Sequence, residues 1–405
     1  VMHGGGNTSV KVERTNLFGE TEHVLHVKGS GWDLDTLEAP GLPGVRLDPL
    51  YKLRALSKLS DEDMVNVQRN NLLDSSSPNP SVETLLHAFL PHKFVDHTHA
   101  TPFLILANLP NAREVCREIF GDKLAVVPYI MPGFALAKKA VQVFEKDPTV
   151  EGLLLLNHGH FAFGQTAKQS YEKIVEHTNA VAHYFKLKKS TSIGERRPAK
   201  DIHFLPALRG LIAEVTLPKE APMPILNLRN HKNVISFFKR KDLNLLEKRG
   251  MASPDHVLRT KGKPLFLRSA DLTTAGIRKK LLAFKSSYEK YFERQSNKIS
   301  EPKKILAADP KHAWIENIGV LGIGVSAKAA SAAADLAEQN LRVRAIGEDS
   351  GGFYPLKEKD MFECEYWSLE QAKLGKGQPP RFQGSVVVIT GGAGTIGLAT
   401  AKAFS

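Results

Sequence analysis

Two histidines stand two residues apart in the stretch FVDHTHA, Phe94 to Ala100. Together with the apolar run that follows through Leu106, the stretch reads as a strand, so the rings of His97 and His99 leave one face. Two imidazoles converging from one backbone segment make a ready pair of divalent-metal ligands. The plain alternative is two satisfied or exposed histidines, and on the pair alone the readings balance. A third imidazole comes from LLLLNHGHF, where an apolar run ends in Asn157, His158, Gly159 and His160. By spacing either His158 or His160 would complete a three-histidine zinc site with an open position for substrate. Glu83 lies just ahead of the His97/His99 strand and offers a carboxylate for acid–base work. Taken by itself, Glu83 suits the start of a helix, with Ser81 as N-cap and the dipole favouring the acid.

A second set of residues suits an anion. HGGGNTS, His3 to Ser9, opens the chain with three glycines. Such a run lets backbone N–H groups approach a phosphate or carboxylate, with Asn7, Thr8 and Ser9 beside them. A turn of similar chemistry, Lys28-Gly29-Ser30-Gly31, follows the strand HVLHV. A glycine turn between strands and a surface lysine would explain both without a ligand.

These residues need elements to hold them. Residues 49 to 73 read as helical and polar, 75 to 80 as a turn-rich loop, and 111 to 120 as a short helix. LAVVPYI reads as a strand, Phe134 to Asp147 as a helix, and EGLLLLNHGHFAFG as a buried strand. Residues 168 to 188 follow the three-and-four rhythm of an amphipathic helix, on which His177 and His183 read as packing or surface residues. Lys189 to Lys200 is polar and rich in breakers, a linker. The chain has 405 residues, enough for two or three domains, and 42% hydrophobic content, ordinary for a soluble globular protein. No apolar run reaches the ~18 residues of a membrane span. Two cysteines, Cys116 and Cys364, make no disulfide framework. The net charge of +12 favours anionic ligands, and no zinc-finger spacing or RNA-binding motif points to nucleic acid. A cytoplasmic location is the expectation. Val1 in place of Met, and an end inside a helical pattern, suggest a piece of a longer protein.

GGGNTS, KGSG, PSVETLLH, HTHA and LLNHG, in this order and spacing, resemble the class II aldolase/adducin-type domain over residues 1 to 190. The resemblance implies an α/β fold with a central, mostly antiparallel sheet flanked by helices, in a homo-oligomer that is a tetramer in similar aldolases. It implies Zn2+, or another divalent metal, on His97, His99 and His158, the histidine directly before glycine being the ligand. It implies Glu83 as catalytic acid/base, and Asn7, Ser30, Gly31 and Ser81 as holders of the phosphate of a small phosphorylated sugar. Family aldolases often carry two serines before the glutamate, whereas here Ser81 is followed by Val82. The expected reaction is cleavage of a ketose or deoxyketose 1-phosphate to dihydroxyacetone phosphate and an aldehyde. A pentulose-phosphate 4-epimerase would share the site, and an adducin-like module would have lost the chemistry.

Residues 201 to 374 read as a middle α/β connecting segment of short strands and helices. Within it Asp255, His256, Arg259, Thr260, Lys261 and Lys263 gather in one stretch, suited to a phosphate or to closing a site, or forming a polar loop with a capping Asp. Thr273 to Asn297 reads as a helix with a packing stripe. Gly319, Gly322 and Gly324 lack the dinucleotide spacing and read as a structural strand–turn–helix. Tyr184 and Lys188 have the dehydrogenase YxxxK spacing but precede any nucleotide turn. After a second linker, Gly375 to Gly384, residues 384 to 405 place Thr390, Gly391, Gly394, Ile396 and Gly397 between a strand, Val386 to Ile389, and a helix. This resembles the β-α start of a short-chain dehydrogenase/reductase Rossmann domain, with Thr395 where the commonest pattern has glycine. It implies NAD(P) binding only in a full-length parent, since ~20 residues are far too few for the domain. The whole resembles the bifunctional rhamnulose-1-phosphate aldolase/alcohol dehydrogenase group.

Overall fold

In the computed structural model, residues 2–187, 202–371 and 382–404 are described. Seven strands build the first sheet: β1 Asn7–Thr15, β2 Thr21–Val27, β3 Gly44–Arg46, β4 Phe94–Thr98, β5 Leu124–Val127, β6 Gly152–Leu155 and β7 Gly159–Gly164. Their order is β3-β2-β1-β4-β7-β6-β5. Every pairing is antiparallel except β5 with β6. The class II aldolase-type α/β sheet expected from the sequence is therefore present. Both faces are covered, as the strand alternation shows. Leu153 and Leu155 join Leu85, Leu86, Phe89, Val95, Phe161 and Phe163 in one core. Leu154, between them, joins Phe103, Leu106, Phe120 and Leu124 in the other.

Four strands build the second sheet: β8 Ile225–Arg229, β9 Leu265–Leu267, β10 His312–Ile315 and β11 Gly319–Gly324, in the order β8-β11-β10-β9. This repeats half of the first sheet, β4-β7-β6-β5. The orientations agree too: β9 runs parallel to β10 as β5 does to β6, and β8 antiparallel to β11 as β4 does to β7. The repeat holds residue by residue. Gly152 and His312, Gly159 and Gly319, and the helix starts Ala167 and Ala327 are each 160 apart. Asn157 and Asn317 take the same left-handed conformation, φ 53° and 61°, in the two hairpin turns. Thr98 pairs with His160 as Arg229 pairs with Val320, so His97 corresponds to Leu228 and His99 to Asn230. His158 corresponds to Ile318. Little sequence identity survives, so the duplication escapes a reading by motif.

The chain divides into two compact units. The first holds the seven-stranded sheet, Asn244–Lys263 and the stretch from Glu338; the second holds the β8–β11 sheet with Pro264–Ala337. Parts of the stretch read as a middle segment thus belong with the first sheet. None of the described helices is long and apolar enough to cross a membrane.

Several elements differ from the sequence reading. The apolar run after His99 is a helix, Thr101–Ala107, not a continuation of the strand. Pro102 cannot donate to a strand ladder but suits the first helical turn. The helix after Ser81 starts at Thr84, with Glu83 itself at the N-cap position. EGLLLLNHGHFAFG is a hairpin of two strands, β6 and β7. Gly322 and Gly324 sit within a strand, not in the turn. An added Cβ on Gly322 would lie 2.1 Å from Ala330 O, so these glycines let the helix Ala327–Asp349 approach the sheet. Val386 to Ile389 forms no strand, because a strand needs a laddered neighbour. The following helix, Thr395–Phe404, is present, and Ile396 is 84% exposed. Gly391 takes φ 67°, Gly394 N–H donates to Gly391 O at 2.9 Å, and a Cβ on Gly397 would lie 2.2 Å from Gly391 O. Thr390 precedes this turn. The linker Lys189 to Lys200, Lys188 and most of Gly375 to Gly384 lie outside the described residues.

Candidate metal and active site

β4 ends at Thr98, and His97 and His99 flank that end, the first in the strand and the second just beyond it. The ring of His97 stacks on Phe161, its cross-strand partner, with centroids 4.0 Å apart. Gly159 makes room for the pair: a Cβ there would lie 2.6 Å from Thr98 O and from His99 Cδ2. His158, in the β6–β7 turn, brings its ring to 5.1 Å from both. One ligand nitrogen from each of the three buried rings lies within 4.8 Å of the others. His160 points to the opposite face, stacks on Phe103 and bonds His177 at 3.1 Å. Of the two histidines that spacing left open, the geometry gathers His158.

The tautomers of the pair follow from their outer partners. His97 Nδ1 lies 3.0 Å from the carbonyl of His160, so it carries the proton. His99 Nδ1 lies 2.5 Å from an Asp255 carboxylate oxygen and donates to it. Both Nε2 atoms are then free to present lone pairs, and they face each other at 2.7 Å. Two lone pairs at that distance repel unless a proton or a cation lies between them. A donor set of three imidazoles, two of them with an outward N–H held by an oxygen acceptor, fits a divalent ion.

Glu83 closes the cluster, with one carboxylate oxygen 3.5 Å from His97 Nε2 and the other 3.2 Å from His158 Nε2. Burial opposes its ionisation, but the His97 and His158 imidazoles outweigh burial and hold its carboxyl well below the usual range. Burial keeps the His97 imidazole well below its ordinary value. Burial also opposes the charge on His99, yet the Asp255 carboxylate prevails and pushes it up.

A buried relay holds Glu83. Asn7, at the start of β1, donates from Nδ2 to Glu83 at 2.9 Å and to Ser81 Oγ at 3.0 Å. Its Oδ1 must therefore accept, and His87 Nε2 lies 2.5 Å away. His87 Nδ1 is left as an acceptor for the Ser9 hydroxyl at 2.8 Å. Sequence reading gave Asn7 to a phosphate. Here its amide is committed to Glu83 and Ser81. His87 was not expected in the site, although it stands four residues after Glu83; Ser9, read with the glycine run as an anion contact, bonds His87. Lys28 is not a surface residue. It is 2% exposed, and its ammonium donates to Trp32 O at 2.7 Å and Gly4 O at 3.2 Å, tying down the glycine loop.

A cavity over the cluster is lined by Gly4, Gly5, Gly6, Asn7, Ser81, Glu83, His99 and His158, with Asp255, Leu258, Cys364 and Trp367. Ser30 and Gly31 lie beside it, on a turn joined to the 79–81 turn by Ser30 N–H to Asn79 O at 2.8 Å and Ser81 N–H to Lys28 O at 3.2 Å. They are outside the lining. The helix Pro254–Thr260 carries Asp255 to His99, so this polar stretch closes over the site.

Comparison with known proteins agrees with this architecture. Residues 1–185 match the family model of the class II aldolase and adducin N-terminal domain, and residues 199–374 match that of the aldolase class II second domain. A curated relative, "Uncharacterized oxidoreductase YuxG" of Bacillus subtilis (strain 168), is 32% identical over 99% of this chain. The chain spans 60% of that protein's length. Among solved structures, the N-terminal class II aldolase domain of a conserved protein from Thermoplasma acidophilum is 39% identical, covering 45% of this chain and 84% of that one, with a TM-score of 0.42. A sugar-phosphate aldolase from Thermotoga maritima is 17% identical, covering 46% and 86%, with a TM-score of 0.34. With both of its domains present over residues 1–374, the chain belongs to the class II aldolase/adducin family.

Proposed function

We propose that this chain is the metal-dependent aldolase part of a larger protein and cleaves a ketose or deoxyketose 1-phosphate to dihydroxyacetone phosphate and an aldehyde. The observation that carries the reading is the pair of Nε2 lone pairs of His97 and His99, 2.7 Å apart, with His158 and the Glu83 carboxylate against them. A scaffold has no use for three imidazoles and a carboxylate buried together, since burying them costs free energy that packing residues would not. A divalent ion held by His97, His99 and His158 would serve as a Lewis acid for the oxygen that gains charge when the carbon–carbon bond breaks.

The chain's own residues supply the rest. Glu83, ionised, accepts the proton of the hydroxyl that becomes the aldehyde carbonyl, and returns a proton to the carbon left by the departing aldehyde. Asn7 fixes the orientation of that carboxylate through its 2.9 Å hydrogen bond. Ser81 and the backbone of Gly4 to Gly6 line the same cavity and suit the phosphate end, while Ser30 and Gly31 lie on the turn bonded to that of Ser81. The glycine turn at Thr390 to Gly397 supports an NAD(P)-dependent short-chain dehydrogenase in the parent protein, acting on the aldehyde.

The test is metal content followed by turnover. The chain should hold about one zinc, lost in His97→Ala/His99→Ala, and release dihydroxyacetone phosphate from a ketose 1-phosphate. Glu83→Gln should keep the metal and lose roughly 10²–10⁴-fold in rate. A chain that binds zinc yet turns over none of a panel of ketose 1-phosphates would sink the reading. Conversion of a pentulose 5-phosphate without release of dihydroxyacetone phosphate would instead identify an epimerase.

A further inference from the structure

We propose that Asp255, carried by the second-domain sequence, is a positioning residue for the metal ligand His99, and that Gly5 keeps the space it needs. The inference rests on the metal-site reading above. The second sheet is a copy of half the first in which the three ligand positions hold Leu228, Asn230 and Ile318, and among the described residues only the first sheet carries such a cluster. Its helix Pro254–Thr260 precedes β9 as Ala112–Phe120 precedes β5, yet it belongs with the first unit. There it delivers Asp255 Oδ2 to within 2.5 Å of His99 Nδ1.

The contact has a physical consequence. His99 has two ring nitrogens, and a metal is bound by the unprotonated one. A carboxylate on Nδ1–H fixes the proton there, turns Nε2 toward His97, and raises the ring's basicity as a ligand. His97 receives the same service from a backbone carbonyl, which mutation cannot remove. Asp255 is thus the replaceable member of the outer shell.

Gly5 provides a second, independent observation. A Cβ built on it would lie 2.3 Å from Asp255 Oδ2 and 3.2 Å from His99 Nδ1. Backbone conformation does not demand glycine at this position, since Gly5 is absent from the positive-φ residues. The tightest neighbour that demands it is the carboxylate on His99, with Met2 O next at 3.2 Å. The glycine loop, from the first residues of the chain, and the helix, some 250 residues on, are shaped to each other around that hydrogen bond.

The experiment is zinc affinity by competition with a chromophoric chelator, on the whole chain, for the parent, Asp255→Ala, Asp255→Asn, Gly5→Ala and the Gly5→Ala/Asp255→Ala double variant. Circular dichroism checks folding. Asp255→Ala should weaken zinc about 10–100-fold with stoichiometry unchanged, and the isosteric Asp255→Asn, which keeps an acceptor but loses the charge, should fall between. Gly5→Ala should weaken zinc to a similar extent, and the double variant should be no worse than Asp255→Ala, because both remove one hydrogen bond. If the parent binds zinc and Asp255→Ala and Asp255→Asn bind it equally well, the role of Asp255 is refuted while the metal site stands. Additive losses in the double variant overturn the role of Gly5. A parent that binds no zinc removes the metal site itself, and this proposal with it.

Discussion

The Ser9–His87–Asn7–Glu83 relay makes a quantitative prediction about acid. With His87 neutral its donors and acceptors run in one direction: Ser9 O–H to His87 Nδ1, His87 Nε2–H to Asn7 Oδ1, and Asn7 N–H to Glu83. A second proton on His87 would sit on Nδ1 and turn the Ser9 hydroxyl away toward Val95 O, 3.5 Å off, in a site with no solvent exposure. Burial accordingly lowers the His87 imidazole from 6.5 to about 4. In the unfolded chain His87 takes up its proton near 6.5, so below that value the unfolded state binds more protons and stability falls as pH falls. The contribution is complete above pH 6.5 and is lost progressively toward pH 4. Linkage between those two values gives a loss on the order of 2–3 kcal/mol by about pH 4.5, and somewhat more well below pH 4. His87→Gln keeps an N–H donor toward Asn7 and cannot titrate. Urea unfolding of both proteins at about pH 7.5 and pH 4.5 isolates the term, because the other histidines titrate alike in both. The parent should be the more stable at the higher pH, and the gap should shrink by roughly 2–3 kcal/mol at the lower. A gap that stays constant between the two would refute the directional relay and the neutral His87 it requires.

Two further outcomes bear on the assignment of parts. His158→Leu should abolish zinc binding, whereas His160→Leu should retain about one zinc per chain, since His160 faces Phe103 and His177 on the far side of the sheet; equilibrium dialysis distinguishes them. Gly322→Ala should lower the thermal midpoint of the second unit, with an overpacking cost of about 1–3 kcal/mol, because the new methyl would press on Ala330 O and Ala334 N; scanning calorimetry reads the shift.

Short-range pattern determined much of this protein. The two-residue spacing of His97 and His99, the apolar strand ending in an Asn-His-Gly turn, and a glutamate one element earlier are local facts, and periodicity alone puts them at the ends of core elements. The glycines of HGGGNTS likewise announce a close approach without saying to what. Tertiary structure decided the rest, because it depends on residues distant in sequence meeting. Whether His158 or His160 joins the pair turns on which face of the sheet each ring takes, and that was fixed by the β6–β7 hairpin turn, not by spacing. Asn7 meets Glu83 and His87 across 76 and 80 residues, contacts that no local spacing encodes. Asp255 stands 156 residues from His99, a separation over which no pattern in the chain constrains a contact. The duplication of the sheet was hidden for a different reason. Strand packing tolerates exchange of one apolar residue for another, so β8–β11 keep the register of β4–β7 while the metal-ligand positions have become Leu228, Asn230 and Ile318.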